Sequence, residues 1–343
     1  MAPAAERSRS PSAGLHHGVR LLERLLDADG PVLLTGPMGP DGDSLGACLA
    51  LARVLAAAGV ETTVAADAAA RYRPLPGFER LVPDDALPPT SWAAVVILDG
   101  DRHRLTPPVA RAFREARFRG IVDHHRSTKP DGYDVYWLDP AASSASEMLC
   151  ELLEFRGIPL DSGIAALLYA GIAFDTGNFR YSNTSPSTLR RAALLLEKGF
   201  DHAALVATML VERRWEALQL ASEVYRQCER ACDGQLAFGR VPLSEHERLG
   251  LVPGDLEGLV DDLVHIAGVH VACLIIDRPG GGVKLSLRSR SHVDVASIAE
   301  ALAPSGGGHA KAAGVLLDGD PDALDLEVRR RVSARVAEQS LPA

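Results

Sequence analysis

The sequence is short of the features that mark secreted and membrane proteins. Its 343 residues include only five cysteines, an odd number scattered along the chain, which argues against a framework of disulfide bonds. No apolar run reaches the ~18 residues that a transmembrane helix needs. The opening segment MAPAAERSRSPSAG lacks the apolar core of a signal peptide, so residues 1–14 are expected to form a disordered tail. These absences predict a cytoplasmic protein.

Positive charge is also in deficit. The chain has 36 lysines and arginines against 45 aspartates and glutamates, a formal net charge of −9 at pH 7. A protein that coats long nucleic acid by electrostatic attraction needs the opposite balance, whereas a small phosphorylated substrate could still bind in a local basic pocket. Apolar residues make up 47% of the chain, enough for substantial cores, and the length suggests two domains.

Apolar strands alternate with helical patterns in the first half of the chain. This alternation predicts an α/β domain with a parallel sheet and flanking helices, which we assign to residues 15–185. Helical spacing continues through residues 186–231, which are expected to form two helices, at about 186–198 and 202–231, that link the two domains. In residues 232–343, two apolar strands are joined by a proline- and glycine-rich hairpin turn, so a smaller α/β domain with a mixed sheet is expected there.

The first domain places acidic and imidazole side chains where its predicted strands end. Asp99 follows the strand 93–98, and Asp123-His124-His125 follows the strand 120–122. In an open parallel sheet, the ligand-binding crevice lies just beyond the carboxyl ends of the strands. Side chains at these positions are therefore suited to chemistry rather than to packing.

Three further aspartates are expected at the same edge of the sheet. Asp41 and Asp43 lie on the loop that leaves the first strand, and Asp175 ends a predicted helix. With Asp99 and His124 they form a set of oxygen ligands with one imidazole, which favours Mn²⁺ or Mg²⁺ over zinc. Two such ions could activate a water molecule and stabilise both oxygens of an in-line phosphoryl displacement, with Asp99 as the bridge.

Each of these pieces also has an ordinary explanation. Pro40-Asp41-Gly42-Asp43 is typical of a turn, Asp175-Thr176-Gly177 is typical of a helix end, and paired histidines are common on protein surfaces. Their joint placement at strand and helix ends of one parallel sheet is a much rarer coincidence. We therefore favour a metal site.

The same residues resemble the motifs of the DHH phosphoesterases, in the same order. The four segments are Asp41-Gly42-Asp43, Leu98-Asp99, Asp123-His124-His125 and the run from Gly171 to Gly177. Gly306-Gly307-Gly308-His309, followed by Ala312-Ala313-Gly314, is similar to a DHH-associated domain of type 1. The whole pattern resembles the NrnA branch of the family, the bifunctional oligoribonucleases and pAp phosphatases, and covers nearly the whole chain after residue 30.

The resemblance implies which residues hold metal ions. Asp43, Asp99, His124 and Asp175 would hold one Mn²⁺ ion, and Asp41 with Asp99 would hold the other. Mg²⁺ is the alternative ion.

The resemblance also implies catalytic and substrate-binding residues. Asp99, Asp123 and His125 are the expected catalytic group, in which His125 faces the scissile phosphate and Asp123 orients its neighbours. The glycines before His309 could present backbone amides to an anion, although a flexible turn would explain them equally well. The expected substrate-binding residues all lie in the second domain, which would close over the metal crevice. The resemblance favours Arg288 and His309, and the chemistry of the glycine-rich segment adds Gly307, Gly308 and Lys311.

One position departs from the family pattern. The first motif has a histidine where this chain has Pro37, within Thr35-Gly36-Pro37-Met38-Gly39-Pro40-Asp41. Proline offers no side-chain ligand, so one ion would keep only Asp41 and Asp99 from the protein. Because Mn²⁺ and Mg²⁺ tolerate water-rich shells, we expect weaker binding of that ion rather than loss of activity.

The expected function is a metal-dependent phosphoesterase. By the resemblance, it hydrolyses short oligoribonucleotides or linear dinucleotides to nucleoside 5′-monophosphates, and pAp to AMP, without binding long duplexes or membranes. Two alternatives stay open: a nucleotide- or cyclic-dinucleotide-binding protein weakened by Pro37, and another DHH hydrolase, either a pyrophosphatase or a RecJ-like exonuclease. A homodimer is compatible with the sequence, which does not predict an oligomeric state.

Overall fold

The computed structural model describes residues 14–256 and 258–340. It divides the chain into two compact units, Met1–Glu212 and Arg213–Ala343. Residues 1–13 of the predicted disordered tail lie outside the described residues. Within the described ranges, none of the helices combines the length and the apolar character that crossing a membrane requires.

A parallel sheet forms the centre of the first unit. Its strands are β1 (Val32–Thr35), β2 (Thr62–Ala65), β3 (Ala94–Leu98), β4 (Arg119–Asp123) and β5 (Val135–Leu138). The order is β2-β1-β3-β4-β5, and every neighbouring pair is parallel. Strands β1 and β3 are buried along their whole length, because helices cover both faces of such a sheet. The predicted α/β class with a parallel sheet is confirmed.

Helices surround this sheet and carry part of the candidate site. They are α1 (Leu15–Leu26), α2 (Gly42–Ala57), α3 (Pro107–Glu115), α4 (Ala145–Phe155), α5 (Ser162–Asp175), α6 (Pro186–Leu196) and α7 (His202–Val206). Helices α2, α4 and α5 pack together in one apolar core that also includes β1 and β3. The segment between β2 and β3 contains only short 3₁₀ turns among the described residues, as its prolines predict.

The second unit contains a mixed sheet covered on both faces. Its elements are α8 (Trp215–Arg226), β6 (Glu229–Ala231), β7 (Leu236–Val241), α9 (Leu243–Arg248), α10 (Leu259–Val264), β8 (Val271–Asp277), β9 (Val283–Ser289), α11 (Val295–Leu302), β10 (Gly307–His309), β11 (Ala312–Leu317) and α12 (Pro321–Ser340). The strand order is β10-β11-β9-β8-β7-β6, with β7 and β8 parallel and the other pairs antiparallel. Alternate residues of β8 join two different apolar clusters, one on each face. The predicted mixed-sheet domain is therefore confirmed.

The structure differs from the predicted continuous helix over residues 202–231. The chain leaves the helical conformation at Glu212 and re-enters it after Arg214, where three consecutive charged residues offer no apolar surface to bury. Residues 229–231 form β6, which pairs with β7 through a turn at Cys232-Asp233-Gly234, all at positive φ. The pair Asp233-Gly234 is typical of a hairpin turn, and the prediction of a helix through these residues did not take it into account. The segment 186–231, predicted as a linker, is divided between the two units.

The close packing of α2 against α5 generates a stability prediction. A Cβ atom at Gly46 would overlap the backbone carbonyl oxygen of Leu167 in α5. In an ordinary helix interior, Gly→Ala stabilises by about 1 kcal/mol. Here we expect Gly46→Ala to lower the free energy of unfolding by about 1–3 kcal/mol, because backbone atoms must move apart. Denaturant unfolding measures this, with Gly254→Ala, where the added Cβ meets no atom within 4 Å, as the control. An unchanged or increased stability of Gly46→Ala would contradict the packing.

Candidate metal centre

The loop after β1 brings two carboxylates to the start of α2. Asp41 is the N-cap residue, and its Oδ1 accepts hydrogen bonds from the backbone N–H groups of Asp43 and Ser44 at 3.0 and 3.1 Å. A Cβ atom at Gly42 would lie 2.9 Å from Phe174, so glycine is needed for the close approach of this turn to α5. The capping turn places Asp41 outside the helix and Asp43 inside its first turn. Both carboxyl groups lie close enough to Asp99 for its charge to raise their pKa.

Asp43 is fully buried and lies on the N-terminus of α4. Its Oδ2 accepts a hydrogen bond from the backbone N–H of Ala145 at 2.6 Å, and its Oδ1 accepts one from Ser146 at 2.9 Å. Free amides and the helix dipole make a helix N-terminus favourable for an anion. The N-terminal amides of α4 thus bind a carboxylate of the protein itself.

Asp99, the residue that follows β3, has a strained backbone conformation. Its φ of 61° lies in the left-handed region, which a non-glycine residue occupies at an energetic cost. The side chain is only 3% exposed. Pro37 is buried beside this turn, since a Cβ atom at Gly100 would meet three atoms of the proline ring at 3.0–3.1 Å. Strain of this kind persists where the surrounding structure fixes it, and it concentrates at functional sites.

The two histidines after β4 reach different carboxylates. His124 Nε2 lies 2.8 Å from Asp175 Oδ2 and 3.4 Å from Asp99 Oδ1. His125 Nδ1 lies 2.7 Å from Asp123 Oδ1 and 3.5 Å from Asp99 Oδ1. Asp175 is the last residue of α5, so α5 and the ends of β3 and β4 meet at one point.

The residues gathered here fit a divalent cation. One ligand atom each of Asp43, Asp99, His124 and Asp175 lies within 4.8 Å of the others, and Asp99, His124 and His125 form a second such group. Among the described residues, Asp99 Oδ1 and His124 Nε2 are buried without a hydrogen bond of acceptable geometry. Buried polar atoms are normally paired, and a divalent cation bound at this point would contact both of these atoms. Three carboxylates and one imidazole suit Mn²⁺ or Mg²⁺.

Asp41 lies beside Asp99 but outside both groups of ligand atoms. Burial and the negative charge of Asp99 raise the pKa of Asp41 to about 7. Asp99, the carboxylate that acts on Asp41, also belongs to the first group of ligand atoms. Pro37, whose ring packs on Gly100, adds no ligand atom.

The crowding of buried carboxylates also raises the pKa values of the other acidic groups of the site. Burial raises the pKa of Asp43, and the charges of Asp99 and Asp175 raise it further. Burial likewise raises the pKa of Asp175. Burial alone would lower the pKa of His124, but its contacts with Asp175 and Asp99 outweigh burial and raise that pKa to about 12. The site therefore retains protons that a bound cation would displace.

The expected substrate-binding residues of the second unit are partly engaged with neighbouring groups. Arg288 Nε donates to Asp261 Oδ1 at 2.9 Å, and the Lys311 ammonium donates to the backbone carbonyl of Ser291. Gly307 and Gly308 lie in β10, where they face Gly314 and Ala313 of β11. The glycine run is thus an edge strand rather than a loop, and its successive amides point in opposite directions. The backbone of His309 pairs with Ala312, whereas its side chain lies outside the described part of the chain.

Sequence reasoning did not identify three groups that hold the site together. The α4 amides bind Asp43, the Thr128 hydroxyl donates to Asp123 Oδ2, and Asn183 Nδ2 donates to the backbone carbonyls of Ser143 and Asp175. The Asn183 bonds join the start of α4 to the end of α5. The Asp43 and Ser143 contacts join segments that are distant in the sequence, so no local pattern points to them. The Thr128–Asp123 contact is local, but no periodicity or motif marks it.

Comparison with known proteins agrees with this architecture. Residues 31–172 match the N-terminal domain of the DHH family, and residues 235–336 match the DHHA1 domain. The chain is 33% identical over 311 residues to the bifunctional oligoribonuclease and PAP phosphatase NrnA of Thermus thermophilus, covering 90% of both chains.

Solved structures show the same fold at lower identity. An exopolyphosphatase-related protein from Bacteroides fragilis superposes with a TM-score of 0.87 at 20% identity, over 97% of this chain and 100% of that one. Exonuclease RecJ bound to manganese superposes with a TM-score of 0.57 at 19% identity, over 97% and 96% of the two chains. The resemblance predicted from the motifs is confirmed: the chain belongs to the DHH family, and a DHHA1 domain follows its DHH domain.

Proposed function

We propose that this protein is a metal-dependent phosphoesterase of the NrnA type. Its substrates are short oligoribonucleotides or linear dinucleotides, which it hydrolyses to nucleoside 5′-monophosphates, and pAp, which it converts to AMP. The observation that carries this proposal is the convergence of Asp43, Asp99, His124 and Asp175 on one point. The similarity to a Thermus relative named as an oligoribonuclease and PAP phosphatase supports the substrate class. We place the reaction in the cytoplasm, and a homodimer is compatible with it.

We assign two metal positions to the site. Asp43, Asp99, His124 and Asp175 would hold one Mn²⁺ or Mg²⁺ ion, and Asp41 with Asp99 would hold a second, weaker one. When bound, such ions supply Lewis acidity for activating water and neutralising charge on the phosphoryl oxygens. The chain's own contribution is to hold these carboxylates close together against their mutual repulsion.

The remaining polar residues orient the substrate. In this proposal, His125 contacts the scissile phosphate, and Asp123 fixes the His125 ring through the 2.7 Å contact with Nδ1. Arg288 and Lys311 supply cations for a second phosphate or a nucleotide end. Gly307, Gly308 and His309 complete that substrate-binding surface in the second unit.

A second candidate function is nucleotide binding without catalysis. Pro37, buried beside Gly100, favours it, because a ligand position of the family motif is filled by an apolar ring. The four clustered ligand residues favour catalysis, since a divalent ion held by them would supply the Lewis acidity that hydrolysis needs. A sample that binds pApA or pAp but releases no product with Mn²⁺ would decide for this candidate.

Turnover of defined substrates tests the main proposal. Wild-type protein with Mn²⁺ should hydrolyse pApA, pAp and RNA of two to five nucleotides, measured by chromatography of the released nucleoside monophosphates. Asp99→Asn should lower kcat by about 100-fold or more, because even outer partners of metal ligands cost about 10- to 100-fold. Asp84→Asn, at another buried aspartate of the first unit, is the matched control and should keep its activity. Equal activity of Asp99→Asn and the control would contradict the assignment.

The raised pKa values predict how metal binding affects stability. The pKa of Asp41 is raised from 3.8 to about 7 and that of His124 from 6.5 to about 12, so the metal-free folded state binds more protons than the unfolded chain. Each of these groups stabilises the folded state fully at pH values below its pKa in the unfolded chain. This stabilisation is lost as the pH rises through its pKa in the folded state. The melting temperature of the metal-free protein should therefore fall between about pH 5 and about pH 8, and Mn²⁺ should raise it more at the higher pH.

Thermal unfolding with and without Mn²⁺ checks this expectation. Asp175→Asn should lose most of the stabilisation by Mn²⁺, while Asp84→Asn should retain it. The same stabilisation at both pH values would mean that Mn²⁺ does not displace protons from these groups.

Replacing Pro37 tests the weaker metal position. Pro37→His should tighten binding of a second Mn²⁺ ion, because it adds an imidazole beside Asp41 and Asp99. Metal content after dialysis, together with titration calorimetry, measures the stoichiometry and affinity. Met38→His adds the same group at a neighbouring position that is 66% exposed, and should change neither. Two equally tight ions in the wild-type protein would show that another group already fills the gap.

A further inference from the structure

The Asp123 carboxylate has more hydrogen-bonding contacts with the protein than Asp41 or Asp43 has. Its Oδ1 accepts hydrogen bonds from the backbone N–H groups of His124 and His125 at 2.9 and 3.3 Å, and lies 2.7 Å from His125 Nδ1. Its Oδ2 accepts a hydrogen bond from Thr128 Oγ1 at 2.5 Å. The side chain is fully buried. Both oxygens of this anion are thus held by a segment of six residues.

A turn after the two histidines brings Thr128 back to Asp123. The backbone N–H of Thr128 donates to the carbonyl oxygen of His125 at 3.3 Å, which closes the turn over residues 125–128. This bond uses the backbone of Thr128 and does not require its hydroxyl. The hydroxyl is therefore available for Asp123, and its removal need not open the turn.

The hydrogen bond from Thr128 to Asp123 affects the orientation of the His125 ring. Two fixed oxygens define the plane of the Asp123 carboxylate, and the contact of Oδ1 with Nδ1 sets the rotation of the imidazole ring. Because the two ring nitrogens lie on opposite sides of the imidazole, Nε2 is directed away from Asp123. A partner of this kind selects the tautomer and orientation of a histidine.

We propose that Thr128 is a positioning residue for the phosphoester reaction. Its hydroxyl holds Asp123 Oδ2, Asp123 holds Nδ1 of His125, and the ring is thereby kept at one angle to the substrate phosphate. This inference rests on the proposed role of His125, but the chain of contacts itself does not depend on the reaction.

Three variants of the full chain separate this role from a general structural one. Thr128→Val keeps the shape of the side chain but removes its hydroxyl, and should lower kcat on pApA about 10- to 100-fold. Thr128→Ser keeps the hydroxyl and should restore most of the turnover. Thr106→Val removes another Thr–Asp hydrogen bond of the first unit, from Thr106 Oγ1 to Asp84 Oδ2 at 2.8 Å, and should leave kcat unchanged. The Mn²⁺ content should be the same in all three.

A double-mutant cycle tests whether the effect passes through His125. In a His125→Ala background, Thr128→Val should have no further effect on kcat. If Thr128→Val lowers kcat by the same factor with or without His125, or if it lowers the Mn²⁺ content, Thr128 is not a positioning residue for that histidine.

A spectroscopic measurement is independent of turnover. In protein labelled with ¹⁵N-histidine, the Nδ1–H resonance of His125, assigned by its loss in His125→Ala, should shift in Thr128→Val and remain in place in Thr128→Ser. An unshifted resonance in Thr128→Val overturns the proposal. If the wild-type protein hydrolyses none of the substrates and the resonance still shifts, the proposed function fails while the contact chain stands.

Discussion

The contact between the Asp43 carboxylate and the N-terminus of α4 is the interaction on which the rest of the site depends. A buried carboxylate needs hydrogen-bond donors, and the backbone amides of Ala145 and Ser146 supply one for each oxygen. The position of α4 relative to α2 is thus fixed by an anion rather than by apolar packing alone. Helix α5 must approach the same point, where a Cβ atom at Gly171 would lie 2.5 Å from Asp43 Oδ1. Three helices therefore meet at one charge.

This arrangement costs stability that the apolar core has to supply. Carboxylates held together raise each other's pKa, and Asp99 adds a left-handed backbone conformation at the end of β3. Neither feature stabilises the folded state by itself. Apolar residues at the same strand ends would make the folded state more stable. Such costs persist where a ligand relieves them, and a divalent cation at this point would relieve the repulsion directly. The geometry is thus preorganised for a cation.

The sequence predicts the ligand residues of the site better than it predicts the contacts that hold those residues in place. Asp99 and the histidines follow strands, and any parallel sheet brings the carboxyl ends of its strands to one edge, so their meeting follows from local patterns. The contact of Asp43 with Ser146 joins residues 103 positions apart and has no local signal. The spacing of Ser144 and Glu147 predicts a capping box, in which Ser144 caps α4 and the Glu147 side chain accepts a hydrogen bond from the backbone N–H of Ser144. Ser144 does cap α4. The Glu147 side chain instead binds Ser143 Oγ, Thr188 and Arg191, since burial between helices offers it stronger partners.

The number of hydrogen bonds that a carboxylate already accepts distinguishes metal ligands from residues that only orient their neighbours. The sequence alone does not make this distinction. A carboxylate oxygen has two lone pairs, so the oxygens of Asp43 can each accept one amide and still face a cation. Oδ1 of Asp123 already receives three contacts, and its Oδ2 is held by Thr128, so this carboxylate has little capacity left for a metal. Asp99 Oδ1 shows the opposite condition, because it is buried and accepts no hydrogen bond from the described residues. Carboxylates that the sequence motifs treat alike therefore serve different purposes, because their surroundings leave them different numbers of unused lone pairs.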